Sequence, residues 1–152
     1  MAVLAAVLSA LHVLAIAIGL PAIYARTRAL KGPLDAEGLR KVFVADAWWG
    51  LAAILWIVTG TFRAFGPFEK GASFYLGTWL FHLKLTLFVL VFLLEIMPMV
   101  GLIRWRMALK RGESPDVSAA PLYRMLSHIE MALVVVIVLV AAFMARGFGR
   151  IG

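Results

Sequence analysis

The chain has 152 residues, of which 64% are hydrophobic, 15% charged and none cysteine, and its mean hydropathy is +0.98. A span of about 20 apolar residues crosses roughly 30 Å of hydrocarbon, so four spans take about 80 to 90 residues and leave connectors only, which excludes nucleotide-binding folds, nucleic-acid readers and soluble hydrolases. The formal charge of +7 belongs to basic connectors of a membrane protein and not to a nucleic-acid surface, and the lack of cysteine excludes disulfides and thiolate sites.

The first apolar run, about 2–24, has no basic n-region before it and no convincing small-residue cleavage site, so it reads as a retained helix rather than a signal peptide. Residues 25–41, ARTRALKGPLDAEGLRK, hold a Gly-Pro break and mixed charge and predict a loop with one interfacial turn. The second span is predicted over about 42–62. It is followed by RAFGPFEKGASFYLG, rich in Gly and aromatics and suited to the headgroup level. The third apolar run, 78–103, extends as a helix to about 108. After the turn formers of RGESPDVSAAP, Pro121 suits the first turn of a fourth helix over about 123–145. No internal repeat is visible, and the links are short. The expectation is a single integral membrane domain over 1–152, an all-α antiparallel up-and-down bundle of four transmembrane helices.

Orientation follows from Lys and Arg. The first and third connectors with their flanks hold ten: Arg26, Arg28, Lys31, Arg40, Lys41, Arg104, Arg106, Lys110, Arg111 and Arg124. The opposite side holds four: Arg63, Lys70, Arg146 and Arg150. Both termini are therefore expected on the periplasmic side of a bacterial inner membrane. Trp105 and Tyr123 read as anchors at the inner interface, Tyr75 and Trp79 at the outer one.

Ionisable groups within spans are costly, about 2.5–3.5 kcal/mol at the bilayer centre, and so are functional candidates. There are seven: His12, Asp46, His82, Lys84, Glu95, His128 and Glu130. His12 falls near mid-membrane, and Lys84 lies about two turns from the outer end of its helix. Asp46, Glu95, His128 and Glu130 fall near the inner surface, giving two polar layers. At about 100° per residue Lys84 and Glu95 share a face, and His82 points elsewhere. Asp46, Trp49, Gly50, Ala53, Trp56 and Gly60 form one stripe; Ala5, Ser9, His12, Ala15, Gly19 and Arg26 form another. Such stripes serve helix packing or make room for a flat ligand. Asp46 and Glu130 sit near helix ends, where snorkelling to headgroups is the plain alternative to a buried role. His12 is expected either to hydrogen-bond across the bundle or to ligate, and a desolvated Lys84 would be neutral and able to bind iron.

On these residues the chain resembles the HemJ-type protoporphyrinogen IX oxidases, four-helix membrane bundles that bind haem b, and an allied family of uncharacterised and CopD-like membrane proteins. The matching features are His12 followed sixteen residues later by Arg28, the WLFHLK segment ending at Lys84, and Tyr123-Arg124 opening the fourth helix. The resemblance implies haem b as cofactor, with His12 and Lys84 at the iron and Arg28 part of the matched pattern; Trp49 and Trp56, the two flat indoles of the second-helix stripe, are expected beside it. The HemJ pattern has a histidine where this chain has Glu95 and a glutamate where it has His128. That exchange predicts that Glu95 and His128 meet, beside Asp46 and Arg124, in a polar inner layer.

The leading expectation is a haem b redox protein, either an oxidase of a porphyrin- or quinone-type substrate arriving from lipid or an electron carrier. The alternatives are a cofactor-free interaction or assembly subunit, and a metal or proton pathway through Asp46, Glu95 and His128. The lipid bilayer, haem and a second copy of the chain, as a homo-oligomer, are the partners these readings allow.

Overall fold

The computed structural model describes residues 2–67 and 71–150, and these form five helices without a strand. They are α1 (Ala2–Lys31), α2 (Ala36–Phe65), the short α3 (Ala72–Leu76), α4 (Trp79–Lys110) and α5 (Ala120–Ala145). All but α3 are long and apolar enough to cross a membrane, so the protein is a four-span membrane bundle as expected. Lys70, counted above for orientation, lies outside the described residues, as does Met1.

The connector predicted over 25–41 is mostly helix. A helix of 30 residues is about 45 Å long, well beyond the hydrocarbon thickness, so α1 and α2 continue past the membrane and only residues 32–35 link them. Arg, Ala, Leu and Lys are good helix formers in water, and the Gly-Pro break stops α1 only at Lys31. Asp35 then starts α2 by accepting the backbone N–H of Gly38 at 2.8 Å, which satisfies one otherwise orphaned donor. Gly38 is required here, because a Cβ would strike the carbonyl of Pro33.

Side chains facing outward along the spans are large and apolar, among them Val13, Leu51, Ile54, Phe92, Leu93 and Leu139, as lipid contact demands. Close backbone packing runs in the order α2, α1, α5, α4. The α2–α4 seam is bridged instead by long side chains, with Trp56 edge-on to Phe88 at 5.4 Å and Phe65 edge-on to Phe81 at 6.5 Å. One apolar cluster, including Ile23, Trp49, Trp56, Val91, Val134 and Ile137, fills the middle of the bundle. A second lies at the end carrying the α1–α2 and α4–α5 connections. Trp105 and Tyr123 belong to that second cluster, buried against each other at 5.5 Å between ring centres, rather than standing at the interface as anchors. Tyr123 fits because Gly101 offers it bare backbone, where any Cβ would overlap the phenol.

Candidate functional site

Two polar assemblies interrupt the apolar interior, one near the termini and one between the two apolar clusters. The first centres on His12. Its Nε2 accepts the indole N–H of Trp56 at 2.9 Å, and its Nδ1 lies 2.8 Å from Thr59 Oγ1. Because an indole can only donate, Nε2 carries no proton here. Nδ1 therefore bears the hydrogen of the neutral ring and donates it to Thr59, whose own hydroxyl donates to Leu55 O at 2.6 Å. The imidazole is thus buried in one tautomer and one orientation. Gly60 faces it closely, a Cβ there falling 3.2 Å from His12 Cε1.

Beside the ring lies a cavity of about 460 Å³, bounded by His12, Trp56, Gly60, Arg63, Tyr75, Phe81 and Lys84, with Ala141, Ala142 and Ala145 on its α5 wall. A smaller recess of about 120 Å³ shares His12, Trp56, Gly60 and Lys84 and runs along the α2–α4 seam past Leu85 and Phe88. His12 and Lys84 therefore line the same space from different helices. His82 points away from it as expected, exposed and donating to Leu76 O at 2.9 Å.

Arg28 does not belong to this space. It is exposed, and sixteen residues along a helix place it about 24 Å from His12. It lines a groove of about 590 Å³ with Lys31, Arg124 and His128. Trp49 also lies away from the cavity, seven residues or about 10 Å from Trp56. It packs on Gly19 and donates to Glu95 Oε2 at 3.1 Å.

The second assembly is built on Arg26, which is wholly buried and reaches from α1 into the bundle centre. Its Nη1 and Nη2 donate side by side to the two Glu95 oxygens, both at 2.7 Å. Nη1 also donates to Asp46 Oδ1 at 3.1 Å, and Nη2 to Glu130 Oε2 at 3.0 Å. Nε and Nη2 share Ser127 Oγ at 3.1 and 2.9 Å. Asp46 has a second cation, Arg106, whose Nη2 donates to Oδ2 at 2.7 Å while the guanidinium lies over the Phe43 ring at 4.9 Å. Every span contributes to this cluster. A planar guanidinium with five fixed donors can hold several carboxylates at once, which an ammonium cannot.

The predicted Glu95–His128 contact is not formed. His128 is exposed and donates to its own helix at Arg124 O, 2.8 Å away, and Arg124 is half-buried on the same outer groove. Glu130 and Ser127, not His128, are the α5 residues that face Glu95. Asp46 and Glu95 do share one layer, but a guanidinium stands between them, and among the described residues no group of histidines and carboxylates is arranged to hold a metal ion. Composition does not single out Arg26 as the hub, because it stands among the charges of residues 25–41 that look like a cytoplasmic connector. Its position on the His12 stripe was the available signal.

No curated protein and no solved structure matches the chain. The chain belongs to the family described as Predicted membrane protein (DUF2214), whose model matches residues 4–149.

Proposed function

We propose that this protein is a haem b-binding redox protein of a bacterial inner membrane with both termini periplasmic, its cofactor held in the cavity beside His12. The observation that carries the reading is that His12 and Lys84, the residues singled out by the HemJ resemblance, line one cavity from two helices. The donor set fits the group in kind. It offers an imidazole, an amine, aromatic walls, and small residues on α2 and α5 that leave room for a flat ring.

Bound haem would supply one-electron chemistry, and the chain's own residues set its environment. Thr59 Oγ1 accepts the hydrogen bond from Nδ1–H and so fixes the tautomer that leaves the lone pair on Nε2, as a ligating histidine needs. Ligation through Nε2 requires Trp56 to give up its hydrogen bond. Arg63 places a guanidinium at the same cavity, suited to a carboxylate of a tetrapyrrole, and Lys84 faces that space from α4. The recess along the α2–α4 seam lies on the side from which a porphyrin- or quinone-type substrate would arrive from lipid.

The Trp56 hydrogen bond also favours a second reading, a cofactor-free packing or assembly subunit in which His12 is satisfied within the bundle. The absorption spectrum of the full chain, expressed in cells supplied with haem precursor and purified in detergent, separates the two. A Soret band with α and β bands on reduction supports the haem reading. A colourless, folded protein that stays colourless after haem addition rejects it.

A further inference from the structure

We propose that Glu130 is a resident proton site of the membrane interior, carrying a carboxylic hydrogen on Oε1 that it shares with Glu95. Arg26 from α1 donates directly to Glu130 and also holds Asp46 from α2, Glu95 from α4 and Ser127 of Glu130's own helix, while Trp49 and Arg106 join the cluster through Glu95 and Asp46. His128, two residues away, faces outward and takes no part.

Hydrogen-bond inventory leads to the assignment. The five N–H groups of Arg26 meet five acceptor atoms: both Glu95 oxygens, Asp46 Oδ1, Ser127 Oγ and Glu130 Oε2. Its donors are spent. Glu130 Oε1, on a side chain with 0% exposure, is the buried side-chain polar atom left without a partner among the described residues. An ionised carboxylate with one bare oxygen in a dry interior is expensive. Charge leads to the same place, because three carboxylates face only two guanidinium groups, Arg26 and Arg106. One proton balances the cluster. Glu130 Oε2 already accepts from Arg26, so the bare Oε1 is the oxygen that gains most from the hydrogen, and Glu95, whose Oε2 shares Arg26 Nη2 with Glu130 Oε2, is the neighbouring carboxylate.

The site is therefore a carboxyl–carboxylate pair clamped by one arginine. Transfer breaks the O–H bond on Glu130 and forms one on Glu95, moving negative charge between two groups that both remain on Arg26. Glu95 has 18% exposure and Glu130 none, so exchange with the surroundings passes through Glu95 at the α2–α4 seam. This inference does not depend on haem.

Infrared difference spectroscopy of the full-length protein in lipid nanodiscs at neutral pH, with ¹³C-labelled glutamate, reads the proton directly. The expected result is a protonated-carboxyl C=O band that moves with the label, shifts in D₂O and is lost in Glu130→Gln. The same variant should keep the wild-type melting temperature, since glutamine reproduces the acceptor for Arg26 and the donor for Glu95, whereas Glu95→Gln should lower it by several degrees. Absence of the band from wild type overturns the proposal, and so does its survival in Glu130→Gln. A Glu130→Gln protein that is as destabilised as Glu95→Gln, or does not fold, overturns it as well, because Glu130 would then be needed as an anion.

Discussion

Trp56 donates its indole N–H to His12 Nε2 at 2.9 Å, so the one lone pair the imidazole could offer a metal is engaged within the bundle. Seven residues earlier on nearly the same face of α2, Trp49 donates to Glu95. The α2 stripe thus works as a row of N–H donors, each serving an acceptor on a different helix.

Trp56→Phe keeps the ring and removes that donor. A neutral hydrogen bond of this kind contributes about 0.5–1.5 kcal/mol, so haem should bind about two- to tenfold more tightly to the variant, as read by Soret titration. Weaker binding would mean that the indole helps to hold the cofactor rather than competing with it.

Lys84→Met exchanges an amine for a thioether of similar length. If the amine approaches the iron, the variant should retain haem but show shifted Soret and α bands. Identical spectra would remove Lys84 from the iron while leaving it on the cavity wall.

Arg26→Met leaves Asp46, Glu95 and Glu130 without their shared cation. Breaking a buried ion pair on one side costs about 3–5 kcal/mol, so the variant should aggregate or melt far below wild type in detergent. Arg26→Lys should recover little, since one ammonium cannot reproduce the side-by-side pairing with Glu95. Near-native stability of Arg26→Lys would show that point charge, not geometry, holds the cluster.

Gly101→Ala introduces a Cβ where the Tyr123 phenol packs. Overpacking of a filled interior costs about 1–3 kcal/mol, and the double variant Gly101→Ala, Tyr123→Leu should regain part of it. Chemical unfolding of the purified variants measures both.

The four spans were legible because a bilayer imposes a length and a composition that soluble folds do not. The extension of α1 through Arg26 was not, since residues 25–31 carry charge and look like a connector although they favour helix. The hub of the inner cluster is therefore hidden in a charged stretch. His12, Lys84 and Glu95 were legible from phase, being ionisable groups in apolar helices with one possible inward face. His128 and Glu130 are two residues apart, about 200° around a helix, so only one can face Glu95. Resemblance favoured the histidine, whereas the cation supplied by Arg26 selects the glutamate. Three carboxylates in the spans required buried cations, and that balance was available from the sequence.

Titration of haem b into purified wild type and His12→Ala, both freed of endogenous pigment, tests the assignment of Nε2 most directly. Wild type should take up one haem per chain with a sharp Soret shift, and His12→Ala should lose that uptake while keeping its helical content, its melting temperature lowered by the loss of two buried hydrogen bonds. Equal stoichiometry and an unchanged spectrum in His12→Ala would contradict a haem held by His12.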